Sequence, residues 1–459
     1  MMDRKNKKIH IIGIGGIAMS AIAKYFMSLD YEVTGSDLQE NELVTDLQTK
    51  GVKITIGHRE ANIADDLDKV IFSDAIPADN IELKTAQDKN LDILNRSEAL
   101  SLITKKKRVI SAAGTHGKTS TSALIAQLLA GAGAKPNFII GGIVNNFSSN
   151  FAIENGDYFV LEGDEYQRSF LKYRTDVGVV TNIEFDHPDI YEDLDDMLAA
   201  YHEYVSGLTE YLVTNYEVIE QLNLETTALD IRIDTVGIND AQATFNAVKI
   251  TEQELTSFFT LEYQGEEVDR FKLPAIGDYN IKHALEAIAV GYYFGLSFTE
   301  MKKGLKNFEG VKRRFETIYQ DQQQIVISDY AHHPSEVKAV VDNLAKIKTT
   351  KDKVVVFQPH QYIRTKRLLD DYEGILPQEI TEQAIFRIYK VREQVEEEEL
   401  VDLGHDLSQK ISDREVKYCN NYQELASWLA NYKSDKGAIY LFLGAGDIDD
   451  WVRKWVQRL

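Results

Sequence analysis

The sequence predicts an α/β protein of three domains, each built around a mostly parallel sheet. At 459 residues the chain is long enough for about three domains of ordinary size, and its 44% hydrophobic content is normal for packed cores. Short β-rich runs alternate with helical patterns along the chain, which is typical of doubly wound sheets. Glycine-rich turns follow two of the predicted strands, at Gly13 and at Gly114.

The first domain is predicted to span residues 1–107. Its strands are predicted at four short runs, IHIIGIG, EVTGSD, VKITIG and KVIFSDAI. Helices are expected from about Ile17 to Leu29 and from about Glu42. The alternation of strands and helices stops at the basic cluster from Lys105 to Lys107, and a new buried-strand pattern follows it. The first domain boundary is therefore placed there.

The second domain is predicted to span residues 108–310 and the third residues 311–459. Second-domain strands are predicted at RVISAAG, YFVLEGD and VGVVTNIEF. Helices are expected from Thr119 to Leu129 and, closing the domain, near Ile281 to Phe294. Third-domain strands are predicted at QIVISDYA, KVVVFQPH, QAIFRIY and AIYLFLGAG.

Charge and cysteine content limit the partners and the compartment. The 73 acidic and 51 basic side chains give a formal net charge of −22, which repels nucleic acid and anionic membrane surfaces. A polyanionic ligand must therefore meet a local positive site. The single cysteine, Cys419, cannot form an internal disulfide, which favours a reducing compartment and predicts a cytoplasmic protein. Long apolar runs are lacking, so no transmembrane helix is expected.

The most specific motif is a glycine loop between a predicted strand and a predicted helix. Its residues are Gly114, Thr115, His116, Gly117, Lys118, Thr119 and Ser120. Glycines let backbone N–H groups surround phosphate oxygens, the lysine offsets the charge of the β- and γ-phosphates, and the hydroxyl after it can hold Mg²⁺. We therefore predict an ATP-binding loop, although Ala112 stands where the Walker pattern has its first glycine.

Carboxylates and a histidine follow the next two strands of the central domain. Glu162, Asp164 and Glu165 end the first of these strands, and Glu162 is the preferred ligand for a Mg²⁺ ion that bridges ATP oxygens. His187 ends the second, in the segment TNIEFDHPD. Because parallel strands present their carboxyl ends at one sheet edge, His187 is predicted to serve a second metal.

The N-terminal turn fits the pattern G-x-G-x-x-A after a strand. The residues concerned are Gly13, Gly15, Gly16, Ile17 and Ala18, with Asp37 closing the next strand. This spacing is typical of dinucleotide-binding sites, which suggests NAD. The same backbone could hold another diphosphate, such as that of a UDP sugar, and this sheet alone does not decide between them.

Three polar clusters mark predicted strand ends or the domain entrance in the third domain. They are GVKRRF at 310–315, DYAHHP at 329–334 and QPHQYIR at 358–364. Open α/β sheets bind ligands at such strand ends, and the arginine fork suits phosphate or carboxylate oxygens.

Seven motifs in this order resemble those of the Mur ligase family. They are GTHGKTS, VLEGDEY, TNIEFDHPD, GVKRRFE, SDYAHHPSE, FQPHQYIRT and LFLGAGDI, and they extend over nearly the whole chain. The resemblance implies an N-terminal Rossmann-like domain for a UDP sugar, a central P-loop ATPase-type domain, and a C-terminal Rossmann-like domain for the incoming amino acid. It is closest to the branch that joins L-alanine to UDP-N-acetylmuramate, and it favours the UDP sugar over NAD at Gly13.

The resemblance also implies site residues and a reaction. Lys118 and Thr119 would contact ATP phosphates and Mg²⁺, with Glu162 and His187 completing the metal sites. Further nucleotide contacts would come from Asn280, Arg314 and Asp329. Amino-acid contacts would come from Tyr330, His332, His360 and Arg364, the last as partner of the substrate carboxylate. The lactyl carboxylate of the sugar would form an acyl phosphate, which the amine of L-alanine then attacks.

Departures from the family pattern concern adenine and the choice of branch. Gln361 stands where these ligases usually carry arginine, and the adenine-side motif reads GDYNIKHA at 277–284. No lysine occurs from residue 173 to 248, which argues against the branches that use a carbamylated lysine.

Three alternatives to L-alanine ligation differ from it in the motifs that they would use. A recycling ligase would attach a tripeptide to the same sugar. The motif GDEY also resembles that of the recycling ligases, whereas FQPHQYIR favours the alanine branch. An NAD-dependent dehydrogenase would leave the GKT loop unused. A non-catalytic nucleotide-binding protein would bind ATP without turnover.

Overall fold

Parallel strands dominate the sheets of the computed structural model, which describes residues 7–154, 156–187, 190–226, 229–390, 393 and 395–459. Contacts divide the described chain into two compact units. The first comprises residues up to 250 together with 259–274 and 278–309, and the second comprises 251–258, 275–277 and 310–459. The predicted α/β class is confirmed. None of the described helices has the length and apolar character needed to cross a membrane.

The N-terminal sheet contains only parallel pairs among its described strands, in the order β3-β2-β1-β4-β5. The strands are β1 Lys8–Ile12, β2 Glu32–Asp37, β3 Lys53–Ile56, β4 Lys69–Phe72 and β5 Asp92–Asn95. The helices are α1 Ile17–Ser28, α2 Glu42–Thr49, α3 Ile81–Asp88 and α4 Arg96–Thr104. Strand order reverses between β1 and β4, which is where open α/β sheets bind their ligands. A capping box of Asn95 and Glu98 fixes the start of α4.

The central sheet has the order β15-β14-β13-β12-β11-β10-β6-β9-β7-β8. Its strands are β6 Arg108–Ala113, β7 Asn137–Val144, β8 Ser149–Ala152, β9 Tyr158–Gly163, β10 Val177–Val180, β11 Tyr211–Thr214, β12 Arg232–Ile238, β13 Phe245–Gln253, β14 Thr256–Tyr263 and β15 Glu266–Leu273. Its helices are α5 Lys118–Gly131, α6 Leu194–Ser206, α7 Tyr216–Gln221, α8 Asp278–Tyr293 and α9 Phe298–Lys306. Because β6 is flanked by β9 and β10, both parallel to it, the three motif-bearing strands end side by side.

The helices of this sheet differ slightly from prediction. The helix predicted from Thr119 to Leu129 begins one residue earlier and ends at Gly131, and α8 begins three residues before the predicted Ile281. In the first sheet, α1 ends at Ser28 rather than Leu29. Helix ends commonly shift by one or two residues because terminal turns fray.

A buried core joins the N-terminal sheet to the central sheet within the first unit. It combines Ile11, Ile22 and Phe26 of the N-terminal sheet and its first helix with Phe159 and Leu161 of β9. Burial of this apolar surface fixes the strand ends of the two sheets relative to one another.

The C-terminal sheet has the order β16-β17-β21-β18-β19-β20, with β16 antiparallel to β17 and the other described pairs parallel. The strands are β16 Glu316–Gln320, β17 Gln324–Asp329, β18 Asp352–Phe357, β19 Glu382–Phe386, β20 Lys417–Cys419 and β21 Ala438–Leu443. The helices are α10 Pro334–Lys346, α11 Tyr362–Arg367, α12 Glu397–Lys410, α13 Tyr422–Asn431 and α14 Ile448–Val456.

Candidate functional site

The glycine loop between β6 and α5 has a backbone that only glycine fits at two positions. Gly114 has φ 136° and Gly117 has φ 87°, both in the region that side chains disfavour. A Cβ atom at Gly114 would overlap Thr181 Oγ1, and one at Gly117 would overlap the His283 ring. The loop therefore follows a path in which its backbone, rather than side chains, can face a ligand.

The end of β10 supports this loop from one side. Thr115 N donates to Asn182 O at 3.2 Å, and Thr115 Oγ1 donates to Glu184 O at 2.8 Å. His116 N donates to Asn182 Oδ1 at 3.1 Å. Thr115 and His116 were predicted as nucleotide contacts. In the structure their backbone N–H groups and the Thr115 hydroxyl hold the loop against the segment that follows β10. Asn182 belongs to the motif TNIEFDHPD, but its role in holding the loop was not predicted, because that role depends on contacts with Thr115 and His116, far away in the chain.

Lys118 is held across the loop by three oxygen partners. Its Nζ donates to Gly114 O at 2.6 Å and to Thr115 O at 3.1 Å, and it lies 2.8 Å from Glu165 Oε2. Burial alone would lower the pKa of Lys118, but Glu165 and Asp164 outweigh it and raise the pKa above its ordinary value. The lysine is therefore charged, and its charge is balanced by Glu165.

Glu165, rather than Glu162, contacts both Lys118 and the predicted histidine. Its side chain is 1% exposed, and His187 Nε2 lies 3.4 Å from its Oε1. Burial would lower the pKa of His187, but the bond to Glu165 and the charge of Asp186 raise it. The sequence identified Glu165 only as one of three carboxylates at the end of a strand. The conformation of the turn after β9 decides which of the three contacts Lys118. Pro188, the next residue of this motif, lies outside the described residues.

Glu162 and Thr119 supply oxygens of the kind that Mg²⁺ prefers. Glu162 Oε1 accepts a bond from Gly141 N at 2.6 Å, and Thr119 lies in the first turn of α5 with 7% exposure. Groups of three or more His, Cys, Asp or Glu side chains suited to a metal are lacking in the part of the chain that the structure describes. This arrangement fits Mg²⁺, since that ion commonly takes one or two protein carboxylates together with phosphate oxygens.

Helix α8 lies directly behind the loop and carries Asn280 in its first turn. His283 Nδ1 lies 3.1 Å from Glu286 Oε2, which also accepts a bond from Thr121 Oγ1 at 2.8 Å. Glu286 is 1% exposed. This buried network fixes α5 against α8 and sets the position of the His283 ring under Gly117.

The N-terminal glycine turn sits at the switch point of the first sheet. Gly13 has φ 78°, and Gly13 N and Ile14 N donate to Ser36 O at 2.8 and 3.0 Å. Asp37 Oδ2 accepts a hydrogen bond from Gly15 N at 2.8 Å. The Asp37 carboxylate, which was predicted to bind a ligand, therefore also stabilises the turn. Gly16 caps α1 without a side chain, and Ile17 and Ala18 begin its first turn. An uncapped helix start next to glycines suits a diphosphate.

The residues predicted to contact the amino acid come together at one end of the C-terminal sheet. The ring of His332 lies 5.5 Å from those of both Tyr330 and His360. Burial lowers the pKa of His360 to about 4, assisted by His332 and Arg364. Burial likewise lowers the pKa of His332, and Arg364 acts in the same direction. Both imidazoles are therefore neutral near pH 7. Tyr389, which stacks on His360 with centroids 5.7 Å apart, was missed because no motif marks it.

Asp329 and Arg314, predicted nucleotide contacts, also lie in the second unit. Asp329 accepts bonds from Phe315 N at 2.6 Å and Ala331 N at 2.7 Å. Burial raises its pKa to about 6, against the opposing charge of Arg314. The Arg314 guanidinium carbon lies 5.4 Å from the centroid of the Tyr330 ring. These residues form one cluster with the amino-acid contacts, whereas the glycine loop and the carboxylates belong to the first unit.

Family models match nearly the whole chain. Residues 8–108 match "Mur ligase family, catalytic domain", residues 112–291 match "Mur ligase middle domain", and residues 313–446 match "Mur ligase, glutamate ligase domain".

Similar proteins share the full length. The UDP-N-acetylmuramate–L-alanine ligase of Aquifex aeolicus (strain VF5) is 35% identical, with 100% of this chain and 99% of the relative covered. The enzyme of the same name from Brachyspira hyodysenteriae is 34% identical over the same shares. The crystal structure of UDP-N-acetylmuramate-alanine ligase from Thermotoga maritima has a TM-score of 0.82 at 27% identity and covers 98% of both chains. The murein peptide ligase of Psychrobacter arcticus has the same fold, with a TM-score of 0.73 at 22% identity and 98% coverage of both chains.

Proposed function

This chain belongs to the Mur ligase family, and we propose that it catalyses the ATP-dependent joining of L-alanine to the lactyl carboxylate of UDP-N-acetylmuramate. The observation that carries this proposal is the ion pair between Lys118 of the glycine loop and Glu165 of the turn after β9, in a chain that matches L-alanine ligases from end to end. The product would be a precursor of peptidoglycan. Because the reaction consumes ATP and the chain has a single cysteine, a cytoplasmic location belongs to the same proposal.

ATP would bind with its phosphates at the glycine loop. Backbone N–H groups of the loop from Gly114 to Ser120 would surround the phosphates, apart from those of Thr115 and His116, which donate to Asn182, and the start of α5 adds positive potential there. Lys118 would exchange Glu165 for a phosphate oxygen, because both are anions within reach of the same ammonium group. Asn280, Arg314 and Asp329 are proposed as further nucleotide contacts.

One Mg²⁺ ion would be held by Thr119 and Glu162 and a second by His187, together with phosphate oxygens. When bound, Mg²⁺ would reduce the repulsion between the phosphates and the incoming carboxylate. UDP-N-acetylmuramate would place its diphosphate on the N-terminal turn, at Gly13, Gly15, Gly16, Ile17 and Ala18 with Asp37.

The chemistry consists of two substitutions. An oxygen of the lactyl carboxylate attacks the γ-phosphorus, and the bond between the γ-phosphorus and the β-γ bridging oxygen breaks. ADP departs, and the product of this step is an acyl phosphate. The neutral amine of L-alanine then attacks the acyl carbon, phosphate departs, and one proton is released. Lys118 would screen the anions in the first step. In the second, Arg364 would bind the L-alanine carboxylate beside the neutral imidazoles of His332 and His360.

The test is ADP formation by the purified protein with ATP, Mg²⁺, UDP-N-acetylmuramate and a panel of amino acids and the L-alanyl-D-glutamyl-diaminopimelate tripeptide. We expect ADP release that requires both the UDP sugar and L-alanine, with glycine and L-serine slower. Preference for the tripeptide would indicate a recycling ligase. ADP release that is indifferent to both substrates would contradict the proposal.

A further inference from the structure

Arg96, at the start of α4, connects the two sheets of the first unit through its guanidinium group. Its Nε donates to Asp74 Oδ2 at 2.7 Å, in the loop that follows β4. Its Nη2 donates to Asp164 Oδ2 at 2.7 Å and to Ser169 Oγ at 3.4 Å, in the turn that follows β9. The Arg96 side chain is only 17% exposed. A buried guanidinium with two carboxylate partners is a strong, directional contact.

The turn held by Arg96 is strained. It spans residues 164–169, and Gln167 and Arg168 have φ of 51° and 52°, in the left-handed region that is unfavourable for side chains. Asp164 Oδ1 accepts a bond from Tyr166 N at 3.0 Å, and Ser169 Oγ donates to Tyr166 O at 2.8 Å. Arg96 thus contacts a residue at each end of the strained segment.

The same turn carries Glu165, which contacts Lys118 and His187. Because Glu165 directly follows Asp164, a shift of the Asp164 carboxylate would move the carboxylate that faces the ATP loop. No sequence motif indicates this role for Arg96, because the residue lies outside the seven motifs named above.

The other partner of Arg96 lies beside the N-terminal glycine turn. Asp74 has an 8% exposed side chain and follows Ser73, whose N donates to Ile12 O at 3.1 Å. Ser73 Cβ lies 3.1 Å from the position that a Cβ atom on Gly13 would take. The loop of Asp74 therefore packs against the turn proposed to bind the UDP-sugar diphosphate.

We propose that Arg96 is a positioning residue for phosphoryl transfer, which ties the loop beside the UDP-sugar turn to the carboxylate turn facing Lys118. The inference rests on the proposed function and adds a residue to it. Arg96 contacts no substrate. It sets the geometry of Glu165 and Lys118, and it makes that geometry depend on the loop at Asp74.

The test compares Arg96→Gln, Arg96→Lys, Asp74→Asn and the double variant Arg96→Gln/Asp74→Asn with the wild-type enzyme. The matched control is Arg108→Gln, since Arg108 is also ion-paired, to Glu210, but lies at the opposite end of β6 from the glycine loop. Measurements are kcat, KM for each substrate, the thermal unfolding midpoint, and the Kd of UDP-N-acetylmuramate with and without a non-hydrolysable ATP analogue.

We expect Arg96→Gln to lower kcat about 100-fold, as for a misplacement of reacting groups by about 1 Å. In Arg96→Gln, the KM for L-alanine and the Kd of the UDP sugar without nucleotide should stay within about threefold of the wild-type values. Any change that the ATP analogue causes in this Kd for the wild-type enzyme should be absent in the variant. Arg96→Lys should recover part of kcat. The double variant should be no slower than Arg96→Gln, because Asp74 acts through Arg96.

A folded Arg96→Gln enzyme whose kcat lies within about threefold of that of Arg108→Gln would overturn the inference, even if its unfolding midpoint falls. If Arg96→Gln does not fold, Asp74→Asn decides by the same comparison of kcat, because it removes the charged partner that links Arg96 to the loop after β4. The proposed function fails separately, by inactivity of the wild-type enzyme with UDP-N-acetylmuramate and L-alanine.

Discussion

Lys118 forms an ion pair with Glu165, next to the loop proposed to bind the ATP phosphates. Glu165 balances its charge at 2.8 Å, in a pocket where an uncompensated ammonium would be unfavourable. In the proposed reaction ATP would compete with this ion pair, and a phosphate would replace Glu165 as the partner of Lys118. The lysine is thereby kept charged and oriented before any substrate arrives.

Lys118→Ala should abolish ADP formation while leaving UDP-sugar binding nearly unchanged. The loss should exceed about 1,000-fold in kcat, because the lysine is proposed to stabilise the transferring phosphoryl group. Calorimetric titration with UDP-N-acetylmuramate in the absence of ATP checks the second part. Equal losses of turnover and sugar affinity would show that the two ligands do not occupy separate sites.

Asp329 should make unfolding free energy depend on pH. Burial raises its pKa from 3.8 to about 6 in the folded protein, so the folded state holds the proton more tightly than the unfolded state. Its stabilising contribution is complete below pH 3.8 and is lost as pH rises through 6, by about 1.4 kcal/mol per unit between these values.

Chemical denaturation of wild type and Asp329→Asn between pH 5 and pH 8 tests this expectation. The difference in unfolding free energy, wild type minus variant, should fall by about 1 kcal/mol between pH 5 and 7 and stay level above that. A difference that rises with pH would mean that Asp329 has a lowered pKa in the folded state.

At the scale of elements, the site depends on the order of neighbouring strands. β9, β6 and β10 are adjacent and parallel, so Glu165, the glycine loop and His187 follow strands that end at one edge. The loop itself depends on two glycines with positive φ, one packed on the end of β10 and the other on α8.

Gly117→Ala should weaken ATP binding at least tenfold, about 1.4 kcal/mol, because the methyl group would overlap the His283 ring and force the loop away from α8. Gly133→Ala is the matched control, since Gly133 has φ 81° but no atom within 4 Å of an added Cβ. It should cost stability only, roughly 1–2 kcal/mol. Titration with a fluorescent ATP analogue compares the variants, and equal affinities would show that loop geometry does not control nucleotide binding.

At the scale of the whole molecule, the net charge of −22 opposes the compact state. Several ligands of the proposed reaction are themselves anions, so local cations such as Lys118, Arg314 and Arg364 must overcome a negative mean field. Salt screens this repulsion, with a Debye length that falls from about 30 Å at 0.01 M to about 8 Å at 0.15 M.

The thermal unfolding midpoint should therefore rise by about 1 °C or more between 0.01 and 0.15 M NaCl at pH 7.5, which corresponds to roughly 1 kcal/mol for a chain of 459 residues. Differential scanning calorimetry without ligands measures it. A midpoint that falls with salt would indicate that attractive ion pairs, such as Arg96 with its carboxylates, outweigh the net repulsion.

The α/β class, the presence of the motif-bearing strands and the glycine loop could be predicted from the sequence alone, because these depend on local periodicity and on residues a few positions apart. Strands β12 to β15, at one end of the central sheet, were not predicted. In β13 and β15, charged residues are interspersed among the apolar ones, so no continuous apolar run marks these strands. Nor did the sequence distinguish Glu165 from Glu162, or indicate the contacts made by Arg96, Asn182 and Tyr389. Those assignments depend on contacts between residues far apart in the chain, such as Arg96 with Asp164 and Lys118 with Glu165, which exist only after tertiary packing has brought separate strands and turns together.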